Sequence, residues 1–133
     1  MPNFGKILYP QTEPDYVMDY HVPSFANKLY RLTGDTNYLH IDEELAANAG
    51  LGGEIIMQGL ASFGAACRML IHAIIPGQPE RMRRMLVQMR TPAYPDSAMQ
   101  LRAWKIDAQK VVFQYVDLDR GRAVLNNCEF EWV

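Results

Sequence analysis

One stretch of the sequence decides the fold: residues 59–75 read GLASFGAACRMLIHAII. Apolar side chains lie on nearly every side of a 3.6-residue period, which predicts a helix buried within a protein core. The small residues at 64–66 would let other elements pack closely against it. Arg68 and His72 interrupt the apolar run, which is also too short to span a bilayer. The stretch therefore predicts a central core helix, and Pro76 marks its end.

Beyond this helix, the apolar pattern changes from a helical period to an alternating one. The alternation over residues 82–89, 98–106, 111–118 and 123–132 predicts four strands. Short turns of polar residues and glycine separate the last three of these strands. Such short connections predict that the three strands form an antiparallel meander.

Shorter elements are predicted before the central helix. Residues 16–22 alternate weakly and predict a strand, and residues 24–32 predict a short amphipathic helix with a serine available to cap it. Residues 42–50 predict another short helix, with acids at its start and glycine just past its end. Residues 1–14 carry three prolines and no periodicity, which predicts an extended arm that could lie on a partner subunit.

This order of elements predicts an α+β fold. The simplest core for one long apolar helix and several antiparallel strands is a curved sheet around that helix. The 133 residues correspond to one domain, at about 150 residues per domain. We therefore expect a single domain over residues 15–133, large enough to form a core without a disulfide or a structural metal.

Composition excludes several classes of protein. The chain has 13 Lys and Arg residues against 15 Asp and Glu residues, a net charge of −2 that argues against nucleic-acid binding. Cys67 and Cys128 lie within apolar patterns and are expected to be free thiols in a reducing compartment. No secretory signal and no membrane span are predicted, so a soluble cytoplasmic protein is expected.

Known cofactor motifs are also missing from the sequence. Two separate cysteines and three scattered histidines do not have metal-ligand spacing, so no metal is expected. The sequence contains neither a phosphate-binding loop nor a dinucleotide fingerprint, so no cofactor is expected. The arginines at 81, 83, 84 and 90 could contact phosphates of a ligand or form a solvated strand edge.

Asp35, Asn37 and His40 form the densest group of polar residues that could carry chemistry. Histidine titrates near neutrality and a carboxylate can hold a water molecule, so the pair suits general acid–base catalysis. In the structural alternative, Asp35 and Asn37 bond nearby backbone in a turn and His40 is a satisfied core residue. The residue types alone favour this alternative.

Three motifs resemble those of one family. Residues 30–42, YRLTGDTNYLHID, resemble the signature of MaoC-like dehydratases and type 2, (R)-specific enoyl-CoA hydratases, which is Gly-Asp, any residue, then Asn-Pro-Leu-His. Residues 55–60, IIMQGL, resemble the family's apolar pair followed by His-Gly at the start of the central helix. Residues 90–96, RTPAYPD, weakly resemble its Pro-Val-Tyr-Pro-Gly stretch. The resemblance runs from about Asp19 to the C-terminus.

The resemblance implies a hotdog fold, in which an antiparallel sheet wraps a long helix. Such domains are usually dimers or two fused copies, so a homodimer is expected. The implied activity is a hydro-lyase reaction: water is added across, or removed from, the α,β double bond of an enoyl thioester. The thioester would be carried by CoA or a carrier protein, in fatty acid or polyketide metabolism.

The resemblance also implies roles for individual residues. Asp35 and His40 would be the acid–base pair and would face one cavity; which of them moves which proton stays open. Asn37 would orient the loop or the water. The Gly59 amide would bond the thioester oxygen, a role that suits an N–H at a helix N-terminus.

The sequence departs from the family pattern near these residues. Tyr38 replaces a proline, and its ring would reshape the pocket if it pointed inward. Gln58 replaces a histidine and removes a titratable group. Asp96 replaces a turn glycine, which requires either a negative φ or a left-handed aspartate. Met57 and Phe63 are the expected walls of an acyl pocket, although plain core packing would explain them as well.

Three functions remain open from the sequence. The first is an (R)-specific enoyl-thioester hydratase or dehydratase. The second is a tailoring lyase, dehydratase or cyclase of specialised metabolism, motivated by Tyr38 and Gln58. The third is a non-catalytic hotdog that binds an acyl ligand or serves as a partner subunit.

Overall fold

The elements follow the predicted order, and each boundary lies within two residues of its predicted position. The computed structural model describes residues 5–50 and 53–133. The helices and strands are β1 (Tyr16–Val22), α1 (Ala26–Arg31), α2 (Glu43–Asn48), α3 (Gly59–Ile74), β2 (Met82–Met89), β3 (Ser97–Asp107), β4 (Lys110–Asp117) and β5 (Arg122–Trp132). Two short 3-10 turns occupy Tyr38–His40 and Pro79–Arg81.

The five strands form one antiparallel sheet in the order β1-β3-β4-β5-β2. The predicted meander of β3, β4 and β5 is confirmed. Asp107 pairs with Lys110 across a two-residue turn, and Gly121, with φ 64°, lies in the turn between β4 and β5. Strands β1 and β2 form the two edges, so the sheet places the start and the middle of the chain on opposite sides of the meander.

The core lies between this sheet and one face of α3. Leu70 of α3 is fully buried, as are Leu101, Phe113 and Phe130 of the sheet. This arrangement confirms the predicted α+β fold, a sheet around one long helix. Among the described residues, no helix is both long enough and apolar enough to cross a membrane.

The prediction that α3 is buried on all sides is wrong for the single chain. Only one face of the helix is buried, and Leu60 on another face is 66% exposed. Gly64 and Arg68 are exposed as well. The physical reason is that one five-stranded sheet covers only one side of a helix. The sequence pattern therefore includes an apolar face that the single chain leaves open.

The starts of the short helices differ in their capping. Asp42 precedes α2, and its Oδ1 accepts a hydrogen bond from the Leu45 N–H at 2.9 Å, as expected for an N-cap. The predicted serine cap of α1 is wrong, because Phe25 occupies the N-cap position and no side chain caps that helix. Asp96 adopts φ 55°, the left-handed conformation that replacement of a turn glycine requires.

The described part of the N-terminal arm lies on the sheet of its own chain. Tyr9 donates its hydroxyl to the Phe113 carbonyl at 2.8 Å and accepts the Cys128 N–H at 3.2 Å. Trp104, whose strand neighbour Ala103 faces the core, donates its indole N–H to the Thr12 carbonyl at 2.8 Å. Because neighbouring strand residues point to opposite faces, the arm covers the face of the sheet away from α3. Residues 1–4 of the predicted arm lie outside the described residues.

A bulge in β5 holds this arm through Asn127. The residue has φ 57°; its Oδ1 accepts the Ile7 N–H at 2.5 Å and its Nδ2 donates to the Gly5 carbonyl at 3.2 Å. We expect Asn127→Ala to lower the free energy of unfolding, measured in urea, by about 1–2 kcal/mol. Asn127→Gly loses the same bonds but tolerates the backbone, so it should lose less. An equal loss in both variants would contradict the contribution of the left-handed backbone.

Candidate functional site

A cavity of about 240 Å³ opens beside the start of α3. We call it the His40 cavity, because His40 is the histidine on its wall. Gly59 and Ser62 of α3 also line it, as does Met57 just before the helix. The cavity thus combines a titratable ring with the N-terminal end of the central helix.

His40 is held in one tautomer. It ends the 3-10 turn Tyr38–His40 and is buried, and its Nδ1 lies 3.0 Å from the Ile56 carbonyl oxygen. A carbonyl only accepts hydrogen bonds, so Nδ1 carries the proton in this contact. Nε2 of the neutral ring then keeps its lone pair and can accept a proton. The arrangement suits a general base.

Two buried amide side chains connect the backbone at His40 to α1 and to the start of α3. Asn27 of α1, only 3% exposed, donates its Nδ2 to the His40 main-chain oxygen at 2.9 Å. Gln58 donates its Nε2 to the Asn27 main-chain oxygen at 3.2 Å, and its Oε1 has no hydrogen-bond partner among the described residues. Gln58, predicted to bind substrate, does not line the His40 cavity. Its observed contact instead joins the start of α3 to α1.

Asp35 and Asn37 make the local hydrogen bonds of a turn. Asp35 Oδ1 accepts the Asn37 N–H at 3.2 Å, and Asn37 Oδ1 accepts the Leu39 N–H at 3.0 Å. Asp35 does not line the His40 cavity, so the single chain does not place the predicted pair around one cavity. These bonds match the structural alternative for the turn. The catalytic roles of Asp35 and Asn37 stay predictions.

Gly59 occupies the first position of α3 and lines the His40 cavity. The first N–H groups of a helix have no acceptor within it, and they lie at the positive end of the helix dipole. A Cβ atom at this position would lie 2.7 Å from Met89 Sδ. Glycine therefore lets Met89 pack against the helix start, where both residues line the His40 cavity.

The remaining predicted pocket residues are spread over three places. Tyr38 is 60% exposed and lies below the guanidinium of Arg31, 5.0 Å from its ring centroid, so its ring does not narrow the cavity. Phe63 lines a separate groove of α3 with Ile71. Met57 lines the His40 cavity and a second cavity described next.

The second cavity, of about 400 Å³, lies between α1 and α3. Its wall is mainly apolar or aromatic and includes Phe25, Leu29 and Leu60. It shares Met57 and Ser62 with the His40 cavity. We call it the α1–α3 cavity; the two cavities adjoin at the start of α3.

An arginine fixes the loop that carries the hydrogen-bond acceptor of His40. Arg120 pairs with Glu54 Oε2 at 3.0 Å and with the fully buried Asp117 at 3.1 Å, and its guanidinium stacks 3.9 Å from the Tyr94 ring centroid. Glu54 lies two residues before Ile56. The ion pair thus connects this loop to the turn between β4 and β5.

The described residues offer neither a metal cluster nor an activated thiol. No group of three or more His, Cys, Asp or Glu side chains among them could hold a metal ion. Burial raises the pKa of Cys128 to about 12, and burial also raises the pKa of Cys67. Both thiols are therefore poor nucleophiles at neutral pH.

The chain is similar in sequence to known proteins of one family. The sequence profile of the MaoC like domain matches residues 7–127. The chain is 30% identical over 127 residues to the peroxisomal multifunctional enzyme type 2 of Mus musculus, covering 96% of this chain and 17% of that enzyme. It is also 30% identical over 121 residues to an enoyl-CoA hydratase of Mycobacterium tuberculosis, covering 91% of this chain and 42% of the relative.

A solved structure resembles the whole described fold. The crystal structure of a MaoC-like dehydratase from Phytophthora capsici matches with a TM-score of 0.91 and 32% identity, over 97% of this chain and 43% of that one. The chain therefore spans less than half the length of each of these three proteins.

Proposed function

Because this chain belongs to the MaoC-like domain family, we propose that it is an (R)-specific hydro-lyase acting on an enoyl or 3-hydroxyacyl thioester. The observation that carries the proposal is the His40 cavity. It combines a buried histidine, bonded through Nδ1 to the Ile56 carbonyl, with the first residue of α3, Gly59. The matched relatives named as a hydratase and a dehydratase support the same class of reaction.

In the hydration direction, a base takes a proton from water as the oxygen attacks the β-carbon. The electron pair of the double bond moves toward the thioester carbonyl, which becomes an enolate oxygen. The Gly59 N–H donates to that oxygen, and one such donor is worth on the order of a hundredfold in rate. The α-carbon then takes a proton from the acid. Asp35 and His40 share these two transfers, and Asn37 holds the turn between them.

We also propose that a second copy covers the open apolar face of α3. Leu60 is 66% exposed there, and the adjoining α1–α3 cavity extends along the same helix to Arg68. A homodimer would bury this face. The α1–α3 cavity also reaches Thr33, two residues before Asp35, so a second copy there would contact the turn whose carboxylate must reach the His40 cavity for the proposed chemistry.

The proposal predicts that the purified protein consumes crotonyl-CoA, seen as loss of the enoyl absorbance. Asp35→Asn should lower the rate by at least about a hundredfold, since it removes one partner of the acid–base pair. Asp42→Asn is the matched control: it makes the same change seven residues later, keeps an N-cap acceptor, and should retain the rate. Equal rates in both variants would contradict the role of Asp35. No conversion by the wild-type protein would contradict hydration of simple enoyl thioesters.

One observation favours a second candidate, a non-catalytic subunit that binds an acyl thioester. Asp35 bonds its own turn and lies outside the His40 cavity in the single chain. Such a subunit would bind crotonyl-CoA without converting it, and Asp35→Asn would bind as tightly as the wild type. The crotonyl-CoA assay and a binding titration separate the two candidates.

A further inference from the structure

Two mostly buried residues on the wall of the α1–α3 cavity carry hydroxyl groups that make no hydrogen bond within the described fold. Tyr115 is 1% exposed and Ser62 is 6% exposed, and both line the cavity. Within the described part of the chain, neither side chain makes a hydrogen bond. Neither hydroxyl oxygen is among the fully enclosed side-chain atoms that lack a partner, so both are open to the cavity. Both hydroxyls are therefore free to contact a ligand that occupies the cavity.

The groups around Tyr115 form a polar end in an otherwise apolar cavity. Arg68 and Tyr20 line the same cavity, and the Arg68 guanidinium lies 5.2 Å from the Tyr20 ring centroid. Among residues 5–50 and 53–133, Arg68 forms no ion pair with a carboxylate. Burial raises the pKa of the Tyr115 hydroxyl, so this group stays protonated and is available as a donor. The polar end thus offers a cation and a phenol O–H, and both can donate a hydrogen bond to an oxygen of a ligand.

The polar end lies at a defined distance from the proposed reaction site. Gly59 and Arg68 are nine residues apart on α3, which corresponds to about 13 Å along the helix axis. Helical side chains lean toward the N-terminus, so the guanidinium can reach back along this path. An extended chain that starts at the Gly59 amide would meet the polar end after roughly six to ten carbon atoms. Met57 and Ser62 border both cavities along the way.

We propose that the acyl chain of the substrate occupies the α1–α3 cavity and carries a hydrogen-bond-accepting oxygen, a carbonyl or a carboxylate, near its distal end. The inference rests on the proposed function and names its substrate class: an oxygenated enoyl thioester of medium length. Tyr115 donates to the oxygen and Arg68 supplies the positive charge beside it. A plain hydrocarbon chain would leave both groups unpaired, and sites built to hydrogen-bond discriminate strongly against analogues that lack the group.

The test compares three CoA thioesters of equal chain length: 2-decenoyl, 9-oxo-2-decenoyl and 2-decenedioyl. The wild-type kcat/KM should be at least tenfold higher for one of the oxygenated substrates than for 2-decenoyl-CoA. A preference for the diacid would assign the carboxylate, and a preference for the ketone would assign the carbonyl. An equal or higher value for 2-decenoyl-CoA would overturn the inference.

Variants locate this preference within the cavity. Tyr115→Phe removes only the hydroxyl, and the ratio between the oxygenated and the plain substrate should fall toward one. Tyr16→Phe is the matched control, since Tyr16 of β1 does not line the α1–α3 cavity; its ratio should equal that of the wild type. An unchanged ratio in Tyr115→Phe would also contradict the inference.

A binding measurement separates this inference from the proposed function. Calorimetry with the saturated decanoyl, 9-oxodecanoyl and decanedioyl thioesters of CoA requires no turnover. At least tenfold tighter binding of an oxygenated thioester supports the inference even if no enoyl thioester is hydrated, in which case only the proposed function fails. Hydration of crotonyl-CoA without any such binding preference would leave the proposed function standing and overturn the inference.

Discussion

Replacement of His40 by alanine should lower the rate of crotonyl-CoA hydration by about 10²–10⁴-fold, the range that a positioned acid or base contributes. The ring is buried, its Nδ1 contacts the Ile56 carbonyl oxygen at 3.0 Å, and it lines the cavity at the start of α3. Its loss removes the group that we propose takes or returns a proton during the reaction. The loss of enoyl absorbance measures the effect directly.

Because His40 is buried, alanine also leaves a cavity that could destabilise the fold. A second variant separates this loss of stability from the loss of a catalytic group. His40→Asn retains an N–H that can reach the Ile56 carbonyl, but its amide is not a useful base. We expect it to fold, by circular dichroism, and to be as inactive as His40→Ala. His72→Ala is the control at an exposed position of α3. A folded His40→Asn variant with more than a tenth of the wild-type rate would exclude acid–base catalysis by His40.

Phe113→Ala should lower the free energy of unfolding by about 3–5 kcal/mol, the largest effect on stability that we expect. The ring is fully buried in the core between the sheet and α3. Its removal loses apolar burial and leaves a cavity that rigid neighbouring strands cannot close. Urea denaturation gives the value.

The matched control makes the same substitution at an exposed ring. Phe25 is 57% exposed, so Phe25→Ala should change the free energy of unfolding by less than about 1 kcal/mol. Losses of similar size in the two variants would show that the core does not lie where the structure places it.

Local patterns were enough to predict the elements of the fold. The alternation in residues 82–132 reflects strands with one face toward α3. Pro76 marks the end of α3, and Gly121, with a positive φ, marks the turn between β4 and β5. What the pattern could not show is how much of α3 the chain itself covers. Apolar residues on every side of a helix predict burial, but they do not distinguish burial by the same chain from burial by a second one.

The candidate site was predictable where a sequence motif carries the residues, as it does for His40 and Gly59, which line one cavity. Histidine titrates near neutrality, which made His40 a candidate, but its catalytic role was predicted from the resemblance of residues 30–42 to a family signature. Asn27 was missed, since its role depends on a contact with the His40 carbonyl, thirteen residues away and in another element. Tyr115 was missed as well, because in an alternating strand it is indistinguishable from an ordinary core residue. The orientation of Asp35 depends on its turn, which spacing does not specify.

The strand order also has a consequence for how the chain folds and opens. Strands β3 and β4 meet across a two-residue turn, whereas Val22 of β1 pairs with Ser97, 75 residues later. Closing long loops costs more chain entropy, so the meander is expected to form early and β1 to join it last. Tyr20 and Val22 of this late strand line the α1–α3 cavity. Partial opening of the β1 edge would therefore widen the cavity for a bulky chain while the meander and its core remain folded.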